Sequence, residues 1–266
     1  MIKNWLVTGD THGQVMTRLM NIGTTDYKPE ETALIILGDA GINYHLDERD
    51  LSAKRYLAKF PFTFYCVRGN HEARPSDVEG MKLVWDGNVQ GEVWQEKEFP
   101  NIRYFQDWGI YYVDGLRTLV IGGAYSVDKH YRLANGWKWH ANEQLTRKEM
   151  DECARAVMAT KHGFDLILSH TCPRSLQPTD LFLQELDQST VDNTMEDWMD
   201  KLGRLFEWKL WLFGHYHADR IEWPHVEQFY MEMEPLIDIV TRWKKYDKTG
   251  ELDWWLPISP KFKKLK

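Results

Sequence analysis

The chain has 266 residues, of which 43% are hydrophobic and 27% charged, and its formal net charge at pH 7 is -7. This composition is typical of a globular protein with a sizeable core, and the negative charge argues against a broad basic surface for nucleic acid. Three widely spaced cysteines form no disulfide framework, and no apolar run is long enough to span a membrane. We therefore expect a cytoplasmic protein without a membrane segment.

Short apolar runs that end in a small residue and then a polar one recur along the chain. They are WLVTGD, ALIILGD, FTFYCVRGN, TLVIGGA, DLILSH and LWLFGH. Their richness in Val, Ile, Leu and aromatic residues predicts buried strands. The segments DERDLSAKRYLAKF and NEQLTRKEMDECARAVMAT have helical spacing of apolar residues. Strands that alternate with helices predict an α/β protein with much parallel sheet.

Polar residues follow these strands at one predicted sheet edge, which is where open α/β sheets build their ligand sites. They are Asp10, His12, Asp39, Asn70, His71, His170, His215 and His217. Carboxylates and imidazoles together suit borderline divalent metals such as Mn²⁺, Fe²⁺ and Zn²⁺. A single Asp or His in such a position is more often a helix cap or a structural residue. A whole set at equivalent positions indicates a metal site.

Five motifs, in this order, resemble those of the calcineurin-like metallophosphoesterases. They are GDTHG at 9–13, GD at 38–39, RGNHE at 68–72, SH at 169–170 and GHYH at 214–217. The resemblance spans residues 7–217 and implies a four-layer α-β-β-α sandwich, in which helices flank two mixed sheets. It also implies that phosphoesters are hydrolysed by a hydroxide bridging two divalent metals. Mn²⁺ is the expected metal, with Fe, Zn, Ni or Mg as alternatives.

The resemblance also implies roles for the residues at the strand ends. One metal would be held by Asp10, His12, Asp39 and His217. The other would be held by Asp39, Asn70, His170 and His215, with Asp39 shared between the two. The resemblance makes His71 the acid that protonates the leaving alkoxide, and a structural histidine is the alternative.

The chain departs from the protein Ser/Thr phosphatase branch of this superfamily in its second motif. Ile42 and Asn43 stand where that branch has an Asp-Arg pair, so protein phosphatase activity is not expected. Arg68 matches an arginine of the third motif and is a candidate substrate contact.

The segment GGAYSVDKHYR at 122–132 follows a predicted strand at the same edge. Its Tyr125, Lys129 and Arg132 are candidate substrate contacts, as is Arg174 in TCPRS, because basic side chains there could bind a phosphate. A solvated loop is an equally good interpretation.

We expect one domain over residues 1–266, with a motif-bearing core at about 1–225 and a C-terminal hairpin and basic tail at 226–266. The segment YDKTGE predicts the turn of that hairpin.

The expected activity is phosphomonoester hydrolysis. The alternatives are a phosphodiesterase or nuclease acting on nucleic acid or cyclic nucleotides, and a non-catalytic scaffold. We expect a phosphorylated small molecule, a nucleotide or a nucleic acid as substrate, and neither a membrane nor an obligate protein partner.

Overall fold

The structure, a computed structural model, describes residues 1–21, 27–252 and 257–263. Its strands are β1 Asn4–Thr8, β2 Thr32–Ile36, β3 Thr63–Cys66, β4 Met81–Asp86, β5 Gly91–Glu96, β6 Ile102–Tyr104, β7 Trp108–Val113, β8 Leu116–Ile121, β9 Leu166–Ser169, β10 Trp211–Phe213, β11 Arg220–Trp223, β12 Val226–Gln228 and β13 Met233–Pro235. Its helices are α1 Val15–Asn21, α2 Glu48–Leu57, α3 Lys129–Ala134, α4 Arg147–Ala159, α5 Thr194–Leu202, α6 Leu236–Thr249 and α7 Pro260–Lys263. Short 3-10 helices lie at Pro29–Glu31, Pro75–Asp77, Arg174–Leu176, Thr179–Leu181 and Gln188–Thr190.

The strands form two mixed sheets. The first has the order β13-β1-β2-β3-β6-β5-β4, and the second has the order β11-β12-β10-β9-β8-β7. The pairs that carry the motifs are parallel, β1 with β2 and β2 with β3 in the first sheet, β8 with β9 and β9 with β10 in the second. All six strands predicted from apolar runs are present. Their carboxyl ends therefore bring the motif residues to one edge of each sheet.

Three apolar clusters separate four layers. The central cluster joins the facing sides of the two sheets, for example Val7 and Ile35 of the first with Val120 and Leu168 of the second. A second cluster packs the outer face of the first sheet against α1 and α2. A third packs the outer face of the second sheet against α4 and α5. This arrangement confirms the expected α-β-β-α sandwich, because each sheet buries one face on its partner and the other on helices.

The two helices predicted from spacing are present as α2 and α4. Helix α4 begins with a capping box, in which the Thr146 side chain accepts from the Glu149 backbone and the Glu149 side chain accepts from the Thr146 backbone. It buries Met150, Cys153 and Val157, the stripe expected from the sequence. None of the helices in the described ranges is long and apolar enough to cross a membrane.

The predicted C-terminal hairpin is wrong, because its first arm and turn form the helix α6. Leu236, Ile239 and Trp243 are buried at a spacing of three to four residues, which fits a helix rather than a strand. Gly250, at φ 68°, ends this helix in a left-handed conformation instead of turning a hairpin. The second predicted arm, at 253–256, and the last lysines of the tail lie outside the described residues.

Candidate active site

The residues of the five motifs meet at the carboxyl ends of β1, β2, β3, β9 and β10. Four of the metal-ligand candidates have positive φ, namely His12 at 44°, Asp39 at 47°, His215 at 69° and His217 at 52°. Each such conformation costs an L-residue about 1–3 kcal/mol, and it persists only where the surrounding structure imposes it. The shared strain indicates that the fold holds these four side chains in a defined arrangement.

Two glycines allow the candidate ligands to approach the neighbouring backbone. A Cβ on Gly69 would lie 1.9 Å from Asp39 Oδ1, and a Cβ on Gly214 would lie 2.3 Å from Asp10 Oδ1. Both distances are far below van der Waals contact, so any side chain at these positions would displace a carboxylate. The glycines of the RGNHE and GHYH motifs are thus required by the packing of Asp39 and Asp10.

One group of candidate ligands consists of Asp10, His12 and His217, whose ligand atoms all lie within 4.8 Å of one another. The Nε2 atoms of His12 and His217 are 3.0 Å apart, and His217 Nε2 lies 3.3 Å from Asp10 Oδ2. Asp10 is fixed from its other side, since Oδ1 accepts the backbone N–H of His215 at 2.8 Å. Three ligand atoms therefore converge on one small volume.

The second group consists of Asp10, Asp39 and His170, so that Asp10 is common to both groups. His170 Nδ1 contacts the Leu37 carbonyl oxygen at 2.8 Å, and this backbone partner leaves Nε2 directed at the site. Asn70 Oδ1 lies 2.8 Å from His170 Nε2. The ring of His215 packs edge-on against that of His170, with 4.9 Å between centroids. All seven residues predicted as ligands are thus within one cluster.

The chemistry of this cluster fits bound cations. Asp10 Oδ2 is buried without a hydrogen-bond partner among the described residues. Burial, with the negative charges of Asp10 and Glu72 close by, raises the pKa of Asp39. Burial lowers the pKa of His12 and of His170, which favours the neutral imidazole that binds a metal. A divalent cation would offset the repulsion between the two carboxylates and bind Asp10 Oδ2, whose neighbour His217 Nε2 lies 3.3 Å away.

A second layer of side chains, not predicted from the sequence, holds Asn70. Its Nδ2 donates to Ser126 Oγ at 2.8 Å, and Ser126 Oγ donates to Glu143 Oε2 at 2.5 Å. Glu143 also accepts from the Ser126 backbone at 3.0 Å and from Trp139 Nε1 at 2.8 Å. This chain of bonds fixes the amide so that its oxygen faces His170. Glu143 lies outside the five motifs, so its role in holding Asn70 is recognisable only from its contacts.

His71 lies beside the candidate ligands and contacts Arg132. Its Nε2 is 3.0 Å from Arg132 Nη2 and 4.0 Å from Asp39 Oδ2. Burial, followed by the positive charge of Arg132, lowers the pKa of His71 to about 2. A substrate phosphate is an anion and acts in the opposite direction, because it favours the protonated ring that an acid catalyst needs. Two cavities, of about 510 Å³ and about 410 Å³, open at this site; His71 borders both, and Arg132 borders the larger one.

Arg68 is placed differently from the expectation that it contacts substrate. Its side chain is fully buried, and its Nε pairs with Asp107 Oδ1 at 2.6 Å. Its Nη1 donates to the carbonyl oxygens of Glu143 at 2.8 Å and Gly69 at 3.2 Å. Arg68 therefore supports the backbone that carries Asn70, and it borders neither cavity at the site.

The remaining three candidate substrate residues divide between the site and its surroundings. Tyr125 borders one of the cavities. Lys129 begins α3, and its Nζ lies 4.0 Å from the centroid of the Trp139 ring. Arg174 is exposed, and its Nη1 donates to Gln177 Oε1 at 3.0 Å. Lys129 and Arg174 border neither cavity at the site, so Arg132 is the basic residue of this set that lies there.

Comparisons with solved structures give distant likenesses. Phosphopantetheinyl hydrolase from Mycobacterium tuberculosis has a TM-score of 0.44 and 13% identity, over 93% of each chain. A 5'-nucleotidase precursor from Thermus thermophilus has a TM-score of 0.40 and 15% identity, over 84% of this chain and 43% of that one. These likenesses are too distant to support an inference about substrate. No curated protein matches the chain significantly.

The sequence itself gives a stronger comparison. The profile of the calcineurin-like phosphoesterases matches residues 4–219, which include every candidate metal ligand and His71. The chain belongs to the calcineurin-like phosphoesterase family.

Proposed function

We propose that the chain is a metal-dependent phosphomonoesterase whose site takes two divalent cations. The observation that carries this proposal is the pair of ligand groups that share Asp10 at the joined edges of the two sheets. Two bound cations supply Lewis-acid stabilisation of the phosphoryl charge and activation of the attacking water. The mixed oxygen and nitrogen ligands suit Mn²⁺, and Fe, Zn, Ni and Mg remain alternatives.

The ligand sets are part of the proposal. One cation would be held by Asp10, His12, Asp39 and His217, and the other by Asp39, Asn70, His170 and His215. Asp39 is the proposed shared ligand. Its carboxylate lies within 4.8 Å of that of Asp10, the residue common to both groups, and it borders both cavities at the site. Its Oδ1 accepts the backbone N–H of His71 at 2.9 Å, which fixes the carboxylate and the histidine relative to each other.

His71 is the proposed proton donor to the leaving oxygen. Imidazole can take this role, and the ring borders the cavity that a phosphoester would enter. Arg132 contacts His71 and places a positive charge beside the same cavity. Its Nε is paired with Asp128 Oδ2 at 2.8 Å. Arg132 and Tyr125 are the proposed substrate contacts. Basic side chains favour the doubly charged phosphate of a monoester.

Cavity shape favours a second candidate, a phosphodiesterase. The site opens to one cavity of about 510 Å³ and another of about 410 Å³, with Asp39 and His71 bordering both. A diester has two organic arms, and each cavity could take one of them. A nuclease or a cyclic-nucleotide diesterase belongs to this candidate.

A substrate comparison distinguishes the two. Protein treated with a chelator and reloaded with Mn²⁺ is tested on p-nitrophenyl phosphate and bis-p-nitrophenyl phosphate. The proposal predicts a larger kcat/KM for the monoester, whereas a larger value for the diester supports the second candidate. Failure on both esters with each of the five metals would leave the chain as a non-catalytic scaffold and refute the proposal.

A further inference from the structure

The smaller of the two cavities, which we call the apolar pocket, continues directly from the candidate metal site. Its volume is about 410 Å³, and Asn70, His215 and His217 form part of its wall. Much of the rest of its wall comes from the segment at 177–193, which lies between β9 and α5. Leu181, Phe182, Leu183, Leu186 and Val191 line that wall. A substrate whose phosphate lies at the metal site would therefore extend along hydrocarbon side chains.

Tyr216, which lies between the two histidines of the GHYH motif, connects the metal site to this wall. Its ring is stacked on Phe182, with 6.2 Å between centroids and 19° between planes. Its hydroxyl is bonded to Thr171 Oγ1 at 2.9 Å and accepts from Gln177 Nε2 at 3.1 Å. Since these bonds satisfy the hydroxyl, the tyrosine can offer its ring to a ligand as an apolar surface.

Apolar side chains at the mouth of the pocket are more exposed than those of a core. Leu183 is 64% exposed, and Leu181 and Val127 are each 41% exposed. Single exposed apolar residues are ordinary on a protein surface. These three come from two separate segments and border the same pocket beside the metal site. Such a grouping is typical of a surface that is covered by a ligand.

The larger cavity at the site has a different character. Arg49, Arg132 and Lys138 border it, together with His12 and His71. Lys138 Nζ lies near the carbonyl oxygen of His45 at 2.6 Å, and Arg49 pairs with Asp47 at 2.6 Å. Cationic groups therefore border the larger cavity. The apolar pocket has no Lys or Arg in its lining and offers hydrocarbon side chains beside polar ones such as Gln177, Gln188 and Asn193.

We propose that the substrate is a phosphoester of an apolar alcohol, whose hydrocarbon arm lies in the apolar pocket between Tyr216 and the leucines of the 177–193 segment. This inference rests on the proposed function, because it places the phosphate at the metal site. It adds the substrate class, which the ligand set alone does not determine. Burial of each methylene of the arm should improve binding about threefold to fourfold.

The test measures binding of n-alkylphosphonates, which carry the phosphoryl group but cannot be hydrolysed. Ethyl-, butyl- and hexylphosphonate are titrated calorimetrically into the Mn²⁺-loaded protein. The three phosphonates have the same charge, so a change in Kd along the series reports on the hydrocarbon arm. We expect hexylphosphonate to bind at least 30-fold more tightly than ethylphosphonate. Equal affinities for the three would overturn the proposal.

A pair of variants locates the arm. Leu183→Asp places a charge at the mouth of the pocket, and Leu205→Asp is the matched control, since Leu205 is 51% exposed and does not border this pocket. We expect Leu183→Asp to weaken hexylphosphonate binding about tenfold and to leave ethylphosphonate within about twofold. The control should leave both unchanged. An equal loss for both phosphonates in Leu183→Asp would refute the placement of the arm.

Hydrolysis of ethyl and hexyl phosphate separates this inference from the proposed function. The two alcohols are leaving groups of nearly equal basicity, so the chemical step does not distinguish them. If neither ester is hydrolysed while Kd still falls along the phosphonate series, the proposed function fails and the assignment of the pocket holds. If both are hydrolysed with equal kcat/KM and the phosphonates bind equally, the proposed function holds and the pocket assignment fails.

Discussion

The contact between Ser126 and Asn70 makes a prediction whose magnitude follows from the structure. Ser126→Ala removes the acceptor for Asn70 Nδ2 while Glu143 keeps its bonds to the Ser126 backbone and to Trp139. A buried donor left without a partner costs about 1–3 kcal/mol, and loss of an outer contact to a metal ligand typically lowers metal affinity about 10- to 100-fold. We therefore expect the weaker of the two Mn²⁺ affinities to fall about 10- to 100-fold.

The assay for this prediction is calorimetric titration of chelator-treated protein with Mn²⁺, with thermal unfolding of the metal-free protein as a check on folding. Ser175→Ala is a matched control, because exposed Ser175 also donates to a carboxylate, Asp200 Oδ1 at 2.6 Å, but bonds to none of the candidate ligands. The control should bind Mn²⁺ as the unchanged protein does. If Ser126→Ala binds Mn²⁺ within twofold of the unchanged protein, the chain of bonds does not position Asn70 and the reasoning is refuted.

Three further predictions concern single residues. Asp39→Asn should lower both the Mn²⁺ affinity and kcat at least 100-fold, because the proposed shared ligand loses its charge. If equilibrium dialysis shows unchanged Mn²⁺ binding, Asp39 is not a shared ligand. His71→Asn should slow hydrolysis of ethyl phosphate about 100-fold more than hydrolysis of p-nitrophenyl phosphate, because the p-nitrophenolate leaving group barely needs a proton. An equal loss of kcat for the two esters would argue against acid catalysis by His71. Burial raises the pKa of Glu196 to about 7. The folded state therefore holds this proton more tightly than the unfolded state, and stability falls as pH rises from about 4.5 to 7. Glu196→Gln should remove up to about 3 kcal/mol of this decrease in the free energy of unfolding, as measured by urea unfolding at pH 5 and pH 8. If the variant has the same pH dependence as the unchanged protein, burial does not raise the pKa of Glu196.

The strand ends and the fold could be predicted from the sequence because both depend on local pattern. The apolar runs are buried on both faces, as for β2, so they stand out as continuous stretches. The turns that follow them carry glycine and the polar residues of the site. The sequence does not predict the strands β4 and β5, because buried and exposed residues are mixed in them and neither strand is a continuous apolar run.

The errors came from features that depend on contacts distant in sequence. YDKTGE has the composition of a turn, yet the apolar spacing from Leu236 to Trp243 places it at the end of a helix. Arg68 matches a motif position, but Asp107, which pairs with it, is 39 residues away and carries no signal of its own. Glu143 is likewise recognisable only through its contacts with Ser126 and Trp139.

Titration of activity with metal tests the two-cation site most directly. Chelator-treated protein, at a concentration well above the Kd for Mn²⁺, receives increasing equivalents of Mn²⁺, and phosphate release from p-nitrophenyl phosphate is measured at each step. The account predicts no release without metal and a rise that stops at two equivalents per chain. A rise that stops at one equivalent, or full activity in the metal-free protein, would contradict it.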